Sequence, residues 1–229
     1  APEGWHSCLP SFGDDTNLAT RQAFQKALEA SRDVLPAVMS GAADLTGNTG
    51  AQLDGKNAFT ASNNSGRQVY YGIREHAMGS ILNGIALHGL SRSFAGTFAV
   101  FSDYMRPSVR LAAIMDIPST FVWTHDSIGV GEDGPTHQPI EHFAALRAIP
   151  NFAVIRPADA NEVTEAWKSV LRRNKPAGFL LSRQNLRTVD RSTHGAVSGV
   201  DKGAYILKDA SSTPKETIIA TGSEAGIAL

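Results

Sequence analysis

Ionisable side chains follow most of the strands that the sequence predicts, at the point where each strand ends. Asp44, Glu75, His125 and Arg183 all occupy such positions. Because the carboxyl ends of parallel strands meet at one edge of a sheet, we expect these side chains to lie close together. Carboxylate, imidazole and guanidinium groups in one cleft can move protons and bind an anionic substrate.

Two of the candidate catalytic residues also have simpler interpretations. Glu75 begins a predicted helix, where an acid stabilises the helix by about 0.3–1 kcal/mol, and position alone favours that role. His137 lies on a loop at 129–139 that contains three glycines and two prolines. It can donate to an oxyanion or shuttle a proton near neutral pH, or it can satisfy backbone groups of the loop; the spacing leaves both open.

An aromatic group follows the third predicted strand. Phe98, Phe101 and Tyr104 end that strand and begin the next helix. Such side chains usually pack in a core, but at a strand exit they can equally form the floor of a pocket for a flat heterocycle.

Histidines and acids near the fourth predicted strand raise the question of a metal site. The set is His125, Asp133, His137 and His142. Their spacing matches no zinc-ligand pattern, since His137 and His142 are five residues apart and no His-Glu-x-x-His occurs. We therefore predict no metal site built from this chain alone.

Strands alternate with helices along most of the chain. Apolar runs predict strands at 35–44, 69–72, 97–101, 119–124, 152–155 and 178–182. Helical periodicity predicts helices at 16–30, 75–88, 141–148 and 161–172, and one that ends near 115. The alternation predicts an α/β fold: a doubly wound, mostly parallel sheet with helices on both faces.

Composition limits the classes of function. Apolar residues make up 42% and charged residues 19% of the 229 residues, and the formal net charge is −1. These values are typical of a soluble globular protein and favour neither nucleic acid nor an anionic membrane as a partner. No apolar run reaches the roughly 20 residues that span a bilayer. The lone Cys8 and the absence of a signal-like N-terminus fit a cytoplasmic protein.

The chain divides into four predicted segments. Residues 1–15 are an N-terminal extension, 16–186 one domain, 187–203 a linker and 204–229 the start of a truncated second domain. The last segment predicts a strand near 217–221, a Gly-Ser turn and the first turn of a helix.

Two segments resemble the pyrimidine-binding domain of transketolases: 71–79 (YGIREHAMG) and 124–139 (THDSIGVGEDGPTHQP). The resemblance covers about 16–186, and 220–224 (ATGSE) looks like the start of the family's third domain. It implies a thiamine-diphosphate-binding fold and reversible transfer of a two-carbon ketol unit from a ketose phosphate to an aldose phosphate. The alternatives are a dihydroxyacetone synthase, a non-catalytic dimerisation or binding module and an unrelated phosphosugar-binding protein.

The resemblance also implies roles for individual residues. Glu75 would bond the aminopyrimidine ring of the cofactor, and Phe98, Phe101 and Tyr104 would hold that ring. The remaining residues that match family positions are Asp44 near the cofactor, His125, Asp133 and His137 on the sugar, and Arg21 and Arg183 on the phosphate. Asn48 stands where the family often has a serine phosphate ligand, and its amide can still donate.

The resemblance finally implies partners. The family binds diphosphate and Mg²⁺ on a separate domain through a Gly-Asp-Gly triplet, which is absent from this sequence. We therefore expect half of a site, completed by the diphosphate-binding domain of another subunit in a homodimer, and no activity from this chain alone.

Overall fold

The computed structural model describes residues 2–55 and 57–229, so Ala1, in the predicted extension, and Lys56 lie outside the described residues. Its α-helices are α1 Thr20–Ser31, α2 Thr46–Thr49, α3 Glu75–His88, α4 Ser102–Met115, α5 His142–Arg147, α6 Ala160–Arg173 and α7 Ala225–Ala228. Its strands are β1 Asn17–Leu18, β2 Val38–Ala42, β3 Gln68–Tyr70, β4 Arg92–Phe98, β5 Thr120–Thr124, β6 Ala153–Ile155, β7 Ala177–Leu181 and β8 Leu186–Arg187.

Six strands form one parallel sheet in the order β3-β2-β4-β5-β7-β6. The chain runs outward from β2 to β3 and then returns to β4 on the other side of β2. This reversal is the switch point at which doubly wound sheets open a crevice beyond their carboxyl ends. The predicted fold class is confirmed.

Helices cover both faces of the sheet, and each face has its own apolar core. On one face α1 packs against α6, and Phe24 and Trp167 meet Phe94 of β4. On the other face α3 packs against α4, over Phe121 and Trp123 of β5. Successive residues of β5 therefore serve opposite cores, as the two-residue period of a strand requires.

Two predicted boundaries are wrong. The third predicted strand, 97–101, is in fact β4 at Arg92–Phe98, and Ala99–Phe101 form a 3₁₀ turn. The first predicted helix begins at Thr20 rather than near residue 16, because Asn17–Leu18 pair antiparallel with Leu186–Arg187.

The predicted linker, 187–203, packs closely against α6. Val197–Lys202 form a 3₁₀ helix that contacts α6. Arg191 donates to the buried carboxylate of Asp159 at 2.7 Å, and the same carboxylate accepts from Val189 N at 3.1 Å. Asp159 therefore fastens this segment to the start of α6.

The strand predicted near 217–221 is absent from the described residues, and a short helix, Ala225–Ala228, follows as expected. Ile218 and Ile219 are 74% and 92% exposed, so the apolar run covers no core in this chain. No helix among residues 2–55 and 57–229 has the length and hydropathy to cross a membrane.

Gly178 provides a test of the packing at the centre of the sheet. A Cβ at this position would lie 2.2 Å from Cζ3 of the buried Trp123. We expect Gly178→Ala to lower the free energy of unfolding by about 1–3 kcal/mol, because the indole must shift in a filled core. Urea denaturation measures the change.

Gly84→Ala is the matched control. Gly84 lies inside α3, and a Cβ added there would meet no described atom of another element within 4 Å. Alanine should therefore stabilise this helix by about 0.5–1 kcal/mol. Equal effects of the two substitutions would contradict the close contact at Trp123.

Candidate active site

The candidate residues lie after the carboxyl ends of β2, β3, β4, β5 and β7, with Arg21 added from the first turn of α1. Thr20 fixes this turn, since its hydroxyl accepts from Ser182 N, directly after β7, at 2.7 Å. Arg21 Nη1 donates to the carbonyl oxygen of Asn48 at 2.8 Å. Residues from both ends of the domain thus reach one edge of the sheet.

Aromatic rings form a continuous group at this edge. The rings of Phe98 and Phe101 are 5.9 Å apart and almost parallel, and those of Phe101 and Tyr104 are 5.7 Å apart at 17°. His125 stacks on Phe98 at 3.7 Å, and His137 meets Phe101 edge-on at 5.3 Å. Tyr104 is mostly exposed, so the group opens outward and is not solely core packing.

His125 is the most constrained of the candidate residues. Its backbone is left-handed, with φ 60°, and its ring is buried. Burial lowers the pKa of His125 to about 4; the charges of Arg21 and Arg183 act in the same direction, and Asp133 opposes them. The imidazole is therefore neutral near pH 7, with Nδ1 2.9 Å from the hydroxyl of Thr124.

Arg21 and Arg183 form a pair of like charges. Burial lowers the pKa of Arg21, and the charge of Arg183 lowers it further. Arg183 Nη2 lies 3.3 Å from a carboxylate oxygen of the exposed Glu132. Two forked guanidinium groups at one edge of the sheet are suited to binding phosphate oxygens.

The loop after β5 carries Asp133 and His137 to the site. The Ser127 hydroxyl accepts from Gly129 N at 3.1 Å and begins a 3₁₀ turn at Ile128–Asp133. Gly131 interrupts the turn with φ 81° and packs against the guanidinium of Arg183. Asp133 is exposed, and His137 is half-buried with Nδ1 2.8 Å from the Thr136 hydroxyl.

Glu75 begins α3 and is buried, although the residues on either side of it are exposed. The hydroxyl of Thr97, one residue before Phe98, donates to its Oε1 at 3.4 Å. Asp44 is exposed with φ 62°, and its side chain makes no hydrogen bond or ion pair with another described residue. Both acids therefore lie at this edge of the sheet, and no described hydrogen bond or ion pair links them to the aromatic group.

Large apolar side chains are exposed along the same edge. Among the described residues, four such side chains are Tyr70, Ile73, Tyr104 and Ile128, at 66%, 79%, 64% and 75% exposure. Exposed apolar side chains beside polar residues are suited to contact with another molecule. We name these four residues the apolar rim.

His142 lies apart from His125 and His137. Its Nε2 is 3.1 Å from Asp103 Oδ2, and its Nδ1 is 3.9 Å from a Glu141 oxygen. These three side chains are a group whose ligand atoms come within 4.8 Å of one another, which the spacing argument did not anticipate. Arg106 pairs with Asp103 at 3.0 Å and so competes with a cation for that carboxylate.

Sequence reasoning missed several residues that contact the site or its neighbours, among them Thr97, Glu132 and Arg156. Thr97 bonds Glu75, Glu132 pairs with Arg183, and Arg156 binds Asp126, the neighbour of His125, at 2.7 Å. Arg156 directly follows β6, so the strand-exit rule that selected the other residues could have found it. Thr97 and Glu132 carried no comparable signal.

Known proteins are similar to this chain in sequence and fold. Residues 16–189 match the family model of the transketolase pyrimidine-binding domain. Transketolase of Bacillus subtilis is 47% identical over 230 residues, which cover all of this chain and 34% of that protein. Transketolase of Treponema pallidum is 50% identical over 222 residues, 96% of this chain and 34% of that protein.

Solved structures agree with these sequence matches. A Pichia stipitis transketolase in complex with sedoheptulose 7-phosphate matches with TM-score 0.94 at 41% identity, over 99% of this chain and 34% of that chain. A split-gene transketolase described as an inactive β4 tetramer matches with TM-score 0.59 at 28% identity, over 73% of this chain and 52% of that chain. The chain spans about a third of the curated relatives. With three quarters of its residues inside the family match, the chain belongs to the transketolase pyrimidine-binding domain family.

Proposed function

We propose that this chain is the pyrimidine-binding part of a transketolase that transfers a two-carbon ketol unit from a ketose phosphate to an aldose phosphate. The observation that carries the proposal is the position of His125. Its ring stacks on Phe98 of the aromatic group, and its pKa responds to Arg21 and Arg183. His125 therefore lies between a surface suited to a flat ring and a surface suited to phosphate, at one edge of the sheet.

The residues present fit thiamine diphosphate. Phe101 and Tyr104 present nearly parallel rings at an open edge. Glu75 offers a buried carboxylate at the start of α3, after a neighbouring strand of the same edge. When bound, the cofactor supplies the carbanion chemistry of ketol transfer. The chain's part is to hold the pyrimidine ring against the aromatic group and to place one carboxylate at its edge.

Glu75 is the proposed catalytic carboxylate. It would share a proton with a ring nitrogen of a bound aminopyrimidine, and the Thr97 hydroxyl donates to its Oε1 at 3.4 Å. Asp44, at the adjacent strand exit, completes the cofactor side.

The remaining residues bind the sugar phosphate. Neutral His125, together with Asp133, forms hydrogen bonds with sugar hydroxyl groups, and His137 exchanges a proton with the carbonyl oxygen. Arg21 and Arg183 hold the phosphate, with the Asn48 amide as a further donor.

A second polypeptide completes the proposed site. The apolar rim beside Glu75 supports this, because an isolated site would leave those four side chains in water. The proposed partner is the diphosphate-binding domain of another subunit in a cytoplasmic homodimer. That domain holds Mg²⁺, and this chain is inactive without it.

Reconstitution tests the function. We expect the chain, mixed with a diphosphate-binding transketolase polypeptide, thiamine diphosphate, Mg²⁺, xylulose 5-phosphate and an aldose phosphate, to transfer the two-carbon unit. Glu75→Gln should lower kcat by about 10²–10⁴-fold, the usual size of a general acid–base contribution.

Glu165→Gln is the matched control, since Glu165 pairs with Lys168 on α6. It should retain activity. Binding of the partner without turnover would instead support a non-catalytic module, and sugar-phosphate affinity without thiamine dependence would support a phosphosugar-binding protein.

Arg183→Ala tests the phosphate clamp. Losing one charge-assisted contact, worth about 1.5–3 kcal/mol, should raise KM for a ketose phosphate about 10–100-fold with little change in kcat. The exposed Arg147→Ala is the control. KM for the corresponding unphosphorylated ketose should not change with Arg183→Ala; a parallel rise for both sugars would refute the clamp.

The pKa of His125 predicts how stability depends on pH. Its folded pKa of about 4 lies below the roughly 6.5 of an unfolded histidine, so acid protonates the unfolded chain first. The contribution to stability is therefore complete above pH 6.5 and is lost as pH falls toward 4. Urea denaturation measures the free energy of unfolding of wild type and of His125→Asn. The difference between these two free energies should vary over pH 4–6.5 and stay constant above pH 7. A difference that is flat throughout would contradict a neutral buried ring.

A further inference from the structure

Arg156 links three parts of the chain. Its side chain is 4% exposed, and its Nε donates to Asp126 Oδ2 at 2.7 Å. Its Nη1 donates to the Thr221 carbonyl oxygen at 3.0 Å and to the carboxylate of Glu224. The guanidinium also lies over the ring of Phe143, 4.5 Å from its centre.

The Asp126 side of this network adjoins the candidate site. Asp126 follows His125, whose backbone is held at φ 60°. A left-handed histidine costs conformational energy and persists only where the surrounding structure fixes it. Asp126 N donates to the Leu181 carbonyl at 3.3 Å, and Arg156 holds the side chain, so these two contacts fix the residue after His125.

The other side of the network is the segment at 221–224. Gly222 N donates to the Arg156 carbonyl at 3.1 Å, and the Thr221 hydroxyl donates to the same oxygen at 3.3 Å. Gly222 has φ 60°, and a Cβ there would lie 2.6 Å from Arg156 Nε. Ile218 and Ile219, just before this segment, are exposed and do not pack against the domain. Among the described contacts, the hydrogen bonds of Arg156 are therefore the main ones that hold residues 221–224.

We propose that Arg156 is a positioning residue for His125, and that it couples the docking of residues 221–224 to the binding of the sugar phosphate. The inference rests on the proposed function only in assigning His125 to the sugar. When the segment docks, Thr221 and Glu224 orient the guanidinium, the guanidinium orients Asp126, and Asp126 holds His125 in its left-handed conformation. Arg156 itself touches no reacting atom.

A buried ion pair can also serve stability alone, and the chain offers a matched control for that role. Arg191 donates to the buried Asp159 at 2.7 Å and fastens another segment to the domain. It has no described contact with His125 or Asp126. Arg191→Met therefore measures the effect of losing a comparable buried ion pair that has no described contact with His125.

The first measurement is the histidine ring spectrum of the 229-residue chain labelled with ¹⁵N-histidine, with His125→Asn to assign the signal. Arg156→Met should change the ring ¹⁵N shifts of His125, whereas Arg191→Met should leave them unchanged. Glu224→Gln should move them in the same direction by less. This readout needs neither cofactor nor turnover, so it remains decisive if the proposed function fails.

The second measurement uses the reconstituted mixture with xylulose 5-phosphate. Arg156→Met should raise KM about 10-fold and leave kcat within about 2-fold, since a contact worth about 1.4 kcal/mol is lost in binding. Equal effects of Arg156→Met and Arg191→Met on the His125 signal would overturn the inference. If Arg156→Met does not fold, Glu224→Gln decides, because it keeps the Arg156–Asp126 pair; an unchanged His125 signal would then overturn the coupling.

Discussion

The parallel register of β4, β5 and β7 is the constraint on which the site depends. Phe98 pairs with Thr124, and Thr124 pairs with Leu181, so the last residues of three strands form one row. His125 is the next residue after that row on β5. A slip of one residue would exchange the faces of a strand and send its side chains into the wrong core. The two apolar cores that hold the strands in register therefore also place the aromatic group beside the arginines.

Within that frame, the two halves of the site are built differently. The aromatic half is held by direct stacking between neighbours in sequence, from Phe98 to Tyr104. The charged half is assembled from opposite ends of the domain, because α1 brings Arg21 toward Arg183 after β7. His125 connects the halves as a neutral ring, since burial and two nearby cations disfavour its protonation. The site thus concentrates positive charge where phosphate is proposed to bind and keeps the intervening ring uncharged.

The sequence predicted those helices and strands whose residue pattern lies within the element itself. The helix at Glu75–His88 matches the predicted bounds: it begins at an acid and ends before Gly89, which is left-handed. The start of β4 was missed since Arg92 and Ser93 are polar in sequence, although Arg92 reaches the carbonyl of Pro118 and Ser93 is buried. The strand expected near 217–221 has no partner among the described residues of this chain. Contacts between distant residues, such as Arg156 with Thr221, depend on the assembled fold and left no pattern in the sequence.

The exposed carboxylate of Glu132 already occupies the guanidinium of Arg183. A phosphate at the proposed clamp would therefore have to displace this internal anion, which is tethered beside the guanidinium. Because the Glu132 side chain is 81% exposed, water and salt weaken its pairing with Arg183, and displacing it costs little.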